Sequence, residues 1–269
     1  MMPGPSTFSL LKLVAVLLVL GYLGLALFAA LFANRLLFPA PPSGYSDSPE
    51  ILKFRYGESG TAVSMLFLAN PGSPYLVFYH HGNGEDLQSV LPRLQGLREA
   101  GFAVLAWDYP GYGTSEGRPS ESLVLEIAGR IRDAIPEITG YPKDRTLLYG
   151  RSLGGGPAIW LASREEAAGL ILEGVFTSVF RVGLGINILP WDLFDNIKRI
   201  RSIRCPVLVM HGTRDGTVPF RHGVRLLEAA PEPKFFTWFD GGKHNDLIEA
   251  YPDAYYSSIR KFVEFMEDR

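Results

Sequence analysis

Three short segments carry residue types that can do covalent chemistry together. Gly150-Arg151-Ser152-Leu153-Gly154 fits G-x-S-x-G, a pattern that exposes a serine hydroxyl on a tight turn between a strand and a helix. Flanking glycines let such a turn pass close to neighbouring backbone, and a helix N-terminus favours negative charge developing beside it. The pattern is weak by itself and gains weight from context: an apolar run at 146–149 precedes it and a helical run follows. A serine hydroxyl is a poor nucleophile near neutral pH, so it needs a base, and the base needs an orienting carboxylate. Asp215 follows the apolar run 207–210 in His211-Gly212-Thr213-Arg214-Asp215-Gly216, although an Asp-Gly pair serves equally well as a plain turn. His244 lies in Asp240-Gly241-Gly242-Lys243-His244, after the run 235–239. Asp108, just after the run 103–107, is a second candidate for the acid on spacing alone.

The other histidines read differently. His222 falls within a helical pattern, and His211 at a strand end beside Gly212 suits a structural hydrogen bond. His80 and His81 are adjacent, so on a strand they point to opposite faces; with no third ligand at useful spacing, no metal site is expected. They open His81-Gly82-Asn83-Gly84-Glu85, a Gly-rich turn that can present backbone N–H groups. The N–H of Asn83 and the N–H of Leu153 are the expected oxyanion-hole donors. No Gly-rich dinucleotide signature follows the first strand, and no cofactor is expected.

These residues need a scaffold that brings distant strand ends together. Runs 51–56 and 63–68 are expected to pair as an antiparallel edge. The runs 75–79, 103–107, 146–149, 170–172, 207–210 and 235–239 are near-continuously apolar, as strands covered on both faces are. Between them Leu87, Val90, Leu91, Leu94 and Leu97 keep helical spacing, as do Ile127, Ile131, Ala134, Ile135 and Ile138 after Ser120, a good N-cap. The alternation implies an α/β fold, a mostly parallel sheet with helices on both faces, and sites at the carboxyl ends of strands. The longer interval 176–204 is either a small cap over the site or an ordinary crossover.

A chain of 269 residues, 47% apolar and 20% charged, can bury one sizeable core. A formal net charge of -2 without blocks of one sign leaves no footprint for nucleic acid, and the single cysteine, Cys205, excludes an intramolecular disulfide framework. The N-terminus differs from the rest. From Leu13 to Ala33 no residue is charged, and about 20 apolar residues suffice for a helix to cross a bilayer core. The stretch exceeds the apolar region of a usual signal peptide and lacks a good small-x-small end, so an uncleaved single-pass anchor is expected; Lys12 and Arg35 on its two sides leave its orientation open. The expected organisation is an anchor at 1–35, a Pro-rich linker at 36–50 and a catalytic domain at 51–269.

Four motifs taken together carry a family resemblance: His81-Gly82-Asn83; Asp108-Tyr109-Pro110-Gly111-Tyr112-Gly113-Thr114-Ser115-Glu116-Gly117; Gly150-Arg151-Ser152-Leu153-Gly154-Gly155; and His211-Gly212 through Asp215 to Val218-Pro219. Across residues 50–269 the chain resembles the membrane-anchored α/β hydrolases of the bem46 and α/β-hydrolase-domain groups, with one departure at Gly84, where relatives more often carry alanine. The resemblance implies the α/β-hydrolase fold with Ser152, Asp215 and His244 as triad. It also makes the stretch from Asp108 a structural loop rather than the source of the acid. The expected activity is hydrolysis of carboxylic esters through an acyl-enzyme, on a small-molecule or lipid-like acyl substrate. Thioester cleavage of acylated protein, peptide hydrolysis and a catalytically silent membrane-bound binding module are the alternatives.

Overall fold

The computed structural model describes residues 5–57, 60–184 and 188–268. The chain divides into two units, Met1–Phe38 and Pro39–Arg269. In the first, α1 (Pro5–Leu37) is one continuous helix whose segment Ser9–Leu37 is long and apolar enough to cross a membrane. Its 29 residues would extend about 44 Å, against a hydrocarbon core of about 30 Å. Its leucines, among them Leu18 and Leu31, are exposed, which a core helix of a soluble fold would not allow.

The second unit is built on one eight-stranded sheet, in the order β1-β2-β4-β3-β5-β6-β7-β8. The strands are β1 (Ile51–Tyr56), β2 (Thr61–Leu68), β3 (Leu76–His80), β4 (Ala103–Trp107), β5 (Thr146–Arg151), β6 (Gly169–Glu173), β7 (Val207–Gly212) and β8 (Lys234–Phe239). β2 runs antiparallel to β1 and to β4, and every later neighbour pair is parallel. Every residue of β3 to β7 is buried, which explains why those runs are apolar without alternation.

Helices α2 (Leu87–Glu99), α3 (Glu121–Thr139) and α4 (Gly155–Ala162) follow β3, β4 and β5. Ser120 caps α3 by accepting from Leu123 N at 3.3 Å, and Gly140 closes it in the left-handed conformation. Asp86 and Ser89 form a reciprocal capping box at the start of α2, directly after the Gly-rich turn. The interval 176–204 holds two short helices, α5 (Val179–Leu184) and α6 (Asn196–Arg199). Its residues 185–187 lie outside the described residues. Helices α7 (Arg221–Ala229), α8 (Leu247–Ala250) and α9 (Pro252–Glu267) complete the unit. The core beneath α2 and α9 joins Val77, Tyr79, Val104, Tyr149, Ile171 and Phe262, residues drawn from four neighbouring strands and one helix.

Candidate active site

β5 runs into a 3-10 turn, Ser152–Gly154, and then into α4. At this junction Ser152 takes φ 50, one of two non-glycine residues with positive φ among the described residues. A left-handed serine is a strained conformation that the surroundings must enforce. The glycines show how. A Cβ on Gly150 would fall 2.6 Å from Gly154 O, and one on Gly154 would fall 2.0 Å from His80 O. The turn is therefore pressed onto the end of β3 as closely as backbone can approach backbone.

Ser152 Oγ lies 2.9 Å from His244 Nε2, and His244 Nδ1 lies 2.7 Å from Asp215 Oδ2. Asp215 Oδ1 accepts from the N–H groups of Thr217 and Val218, each at 2.8 Å, so the turn at Asp215-Gly216 also aims the carboxylate. Burial would raise the Asp215 pKa, but hydrogen bonds from His211 and His244 and the attraction of His244 outweigh it and hold the carboxyl well below its usual range. An ionised carboxylate only accepts, so His244 Nδ1 carries the proton and Nε2 is left to accept from the serine hydroxyl. The ring has room because Gly174, at φ 59 after β6, has no side chain: a Cβ there would sit 3.1 Å from His244 Cε1 and Nδ1. The Asp215-Gly216 turn and the contact of the Asp215 carboxylate with His244 thus coexist in one residue.

Asp108 does not reach His244. Its Oδ1 accepts from Leu87 N at 3.0 Å, and its Oδ2 accepts from Tyr45 Oη at 2.6 Å. His81 Nε2 stands 3.3 Å from Asp108 Oδ1, an ion-pair distance without hydrogen-bond geometry. Burial lowers the His81 pKa, yet the neighbouring Asp108 reverses the sign and leaves it raised. His80, on the other face, accepts from Trp107 Nε1 at 2.9 Å and is pushed down to about 3 by burial. His81 Nδ1 donates to Gly82 O at 2.6 Å and so holds the turn, whereas His80 ties the end of β3 to β4. Tyr109 Oη donates to His81 O at 2.6 Å and Tyr112 Oη to Asn83 O at 2.8 Å, so the loop after β4 holds the carbonyls of that turn. His211 Nε2 donates to Val218 O at 2.8 Å and stands 3.3 Å from Asp215 Oδ2; His222 Nδ1 pairs with Thr177 Oγ1 at 3.0 Å.

A cleft of about 450 Å³ opens at Ser152 and His244. Asn83 lines it, whereas Leu153 lies in the 3-10 turn beneath, next to Ser152. The rest of its wall comes from the Gly-rich turn with Glu85, the first half of α2 with Ser89 and Arg93, the end of β5 with Arg151, the loop residues Thr217 and Asn245, and α8 with Ile248 and Glu249. None of the described residues of the interval 176–204 lines it. That interval instead packs beside α4, where a Cβ on Gly156 would strike the Phe194 ring. Gly84 faces open space, so an alanine would fit there.

A buried charge network that no local sequence pattern announces lies beside this cleft. Glu173, 1% exposed, accepts from Arg93 Nη1 at 2.9 Å and from the hydroxyls of Tyr149 and Tyr255, each at 2.7 Å. Burial works to raise the Glu173 pKa, but Arg93 and Arg151 lower it overall. The partners lie on α2, β5 and α9, and no local pattern links them.

The Hydrolase_4 family, described as serine aminopeptidase, S33, matches residues 74–185. Among curated proteins, α/β hydrolase domain-containing protein 17C of Xenopus tropicalis is 33% identical over 221 residues, covering 81% of this chain and 70% of the relative. The chain belongs to the α/β-hydrolase-domain family. Protein 17B of Homo sapiens is 31% identical over 220 residues, covering 81% and 76%. The α/β hydrolase domain-containing protein aho-3 of Caenorhabditis elegans is 36% identical over 200 residues, covering 72% of this chain; the chain spans 59% of the length of aho-3. Solved structures show the same fold at low identity. An esterase of Pyrococcus furiosus aligns with TM-score 0.66 at 20% identity, covering 84% of this chain and 98% of that one. Est1E of Butyrivibrio proteoclasticus, bound to ferulic acid, aligns with TM-score 0.66 at 17% identity, covering 80% and 100%. In this α/β hydrolase the eight-stranded sheet places Ser152, Asp215 and His244 at the carboxyl ends of β5, β7 and β8.

Proposed function

We propose that this α/β hydrolase is a serine esterase acting through an acyl-enzyme. The observation that carries the reading is the continuous hydrogen-bond path from Ser152 Oγ through the His244 ring to Asp215, at 2.9 and 2.7 Å. Ser152 Oγ attacks the ester carbonyl carbon while His244 Nε2 takes its proton, and Asp215 stabilises the imidazolium. The oxyanion is held by the N–H groups of Leu153 and Asn83. His244 then protonates the leaving alkoxide, and the alcohol departs. A water, deprotonated by His244, attacks the acyl-serine carbonyl and releases the acid and free Ser152. Thioesters and peptide bonds pass through the same steps; the description of the matching family as serine aminopeptidase keeps the peptide route as the second reading. No step calls on a metal or cofactor. The helix Ser9–Leu37 supports membrane attachment, which would keep the chain at a lipid surface.

The test is labelling with a fluorophosphonate, which phosphonylates an activated serine. The wild-type chain is expected to label, Ser152→Ala to remain blank, and His244→Ala to label at least about a hundredfold more slowly. A folded wild-type chain that does not label would favour the silent binding module instead.

A further inference from the structure

Arg151 is the first of the two variable residues of Gly150-Arg151-Ser152-Leu153-Gly154, where the motif sets no requirement on side chain. Here the side chain is 5% exposed and sits among the three loops that form the site. Its Nη1 donates to Glu85 Oε1 at 2.5 Å, and the other carboxylate oxygen of Glu85 accepts from Gly82 N at 2.6 Å. Its Nη2 donates to His244 O at 3.1 Å and to Asn245 Oδ1 at 2.6 Å. Its Nε stands 3.5 Å from Glu173 Oε1, close enough for charge attraction but outside hydrogen-bond geometry. The fit around the pair is tight: a Cβ on Gly82 would fall 2.8 Å from Glu85 Oε2 and 3.1 Å from Arg151 Nη1.

One guanidinium therefore reaches in two directions from the residue next to the nucleophile. Through Glu85 it holds the turn that carries the Asn83 N–H, and through the His244 carbonyl it holds the loop that carries the base. We propose that Arg151 is a positioning residue that sets the oxyanion turn and the His244 loop relative to Ser152, an inference that rests on the serine-hydrolase reading above. The planar fork is what the role needs. A lysine ammonium in the same place keeps the charge but cannot present two separate nitrogens in fixed directions to Glu85 and to the His244–Asn245 loop. The ties act on the placement of the base and of the turn beside Ser152, so their loss is expected to show in turnover more than in binding.

The experiment compares the full-length wild type with Arg151→Lys, Arg151→Ala and Glu85→Gln, using p-nitrophenyl butyrate as substrate, with thermal melts alongside. Each variant is expected to lose about 10- to 100-fold in kcat, as site groups displaced by about 1 Å do, with KM held within about threefold. Added guanidinium, but not ethylammonium, is expected to restore part of the Arg151→Ala turnover, which a merely structural deficit would not show. If Arg151→Ala does not fold, Glu85→Gln still cuts the tie to the oxyanion turn while leaving the arginine in place. Wild-type kcat in Arg151→Lys or in Glu85→Gln overturns the positioning role. So does a loss confined to KM, or a loss in folded Arg151→Ala that guanidinium leaves untouched. A folded wild type that neither turns over this ester nor labels with fluorophosphonate overturns the hydrolase reading itself, and the positioning role falls with it.

Discussion

Gly154 and His80 meet backbone to backbone, so closely that a Cβ on Gly154 would lie 2.0 Å from the His80 carbonyl oxygen. The contact fastens the serine turn to the strand that leads into the His81-Gly82-Asn83 turn. Gly154→Ala is therefore expected to displace Ser152 or the His81-Gly82-Asn83 turn, lowering kcat about a hundredfold or preventing folding. Gly84→Ala, two residues beyond Gly82, meets nothing within 4 Å and is expected to keep wild-type turnover. Ester kinetics on the two variants side by side would check both halves.

Asp215→Asn isolates the role of the carboxylate charge. The amide oxygen can still accept from Thr217 and Val218, which turns the NH2 group towards His244 Nδ1. That nitrogen then has to accept, and Nε2 is left holding a proton it should be taking from Ser152. A fall of about ten-thousandfold in kcat is expected, with a melting temperature close to wild type. A loss of less than tenfold would show that the tautomer is set elsewhere.

Glu173→Gln tests the buried network. Removing the charge leaves the buried Arg93 guanidinium without its carboxylate and takes one attraction from Arg151, a change expected to cost about 3 kcal/mol at pH 7 in urea denaturation. The folded-state pKa of Glu173 is depressed, so its contribution is present above the ordinary glutamate value of 4.5 and lost as pH falls below it. The gap in stability between wild type and Glu173→Gln should accordingly narrow from pH 5 to pH 3. A gap that stays constant would mean the cost comes from packing.

His80 should make the protein sensitive to milder acid. It accepts from Trp107, and its pKa falls from 6.5 to about 3 through burial, so the folded state resists the proton that the unfolded chain takes up. Its contribution is full above pH 6.5 and is lost progressively as pH falls towards 3; by pH 5 the loss from this residue is about 2 kcal/mol. His81 contributes with the opposite sign because its pKa is raised. The informative quantity is therefore the difference in slope between wild type and His80→Gln, measured by urea midpoints from pH 7 to pH 5. Equal slopes would refute the assignment.

The strands, Ser152 and the capped helix at Ser120 were legible in the sequence because each depends on neighbours within a few residues: apolar runs, glycines around a turn, a hydroxyl before a helix. Asp215 and His244 could be named because both follow apolar strands, where an α/β sheet gathers its loops. The order β1-β2-β4-β3 was not legible, since periodicity reports which face a residue buries and not which strand lies beside it. The choice between Asp215 and Asp108 depended on that order together with side-chain direction, which leaves Asp108 bound to Leu87 and Tyr45. Arg151 could be read only as one of the two free positions of a motif, because its partners Glu85 and His244 stand 66 and 93 residues away along the chain. A buried guanidinium must find acceptors, but which ones it finds is decided when the sheet brings separate loops to one edge; that is a property of the folded packing and of no local stretch of sequence.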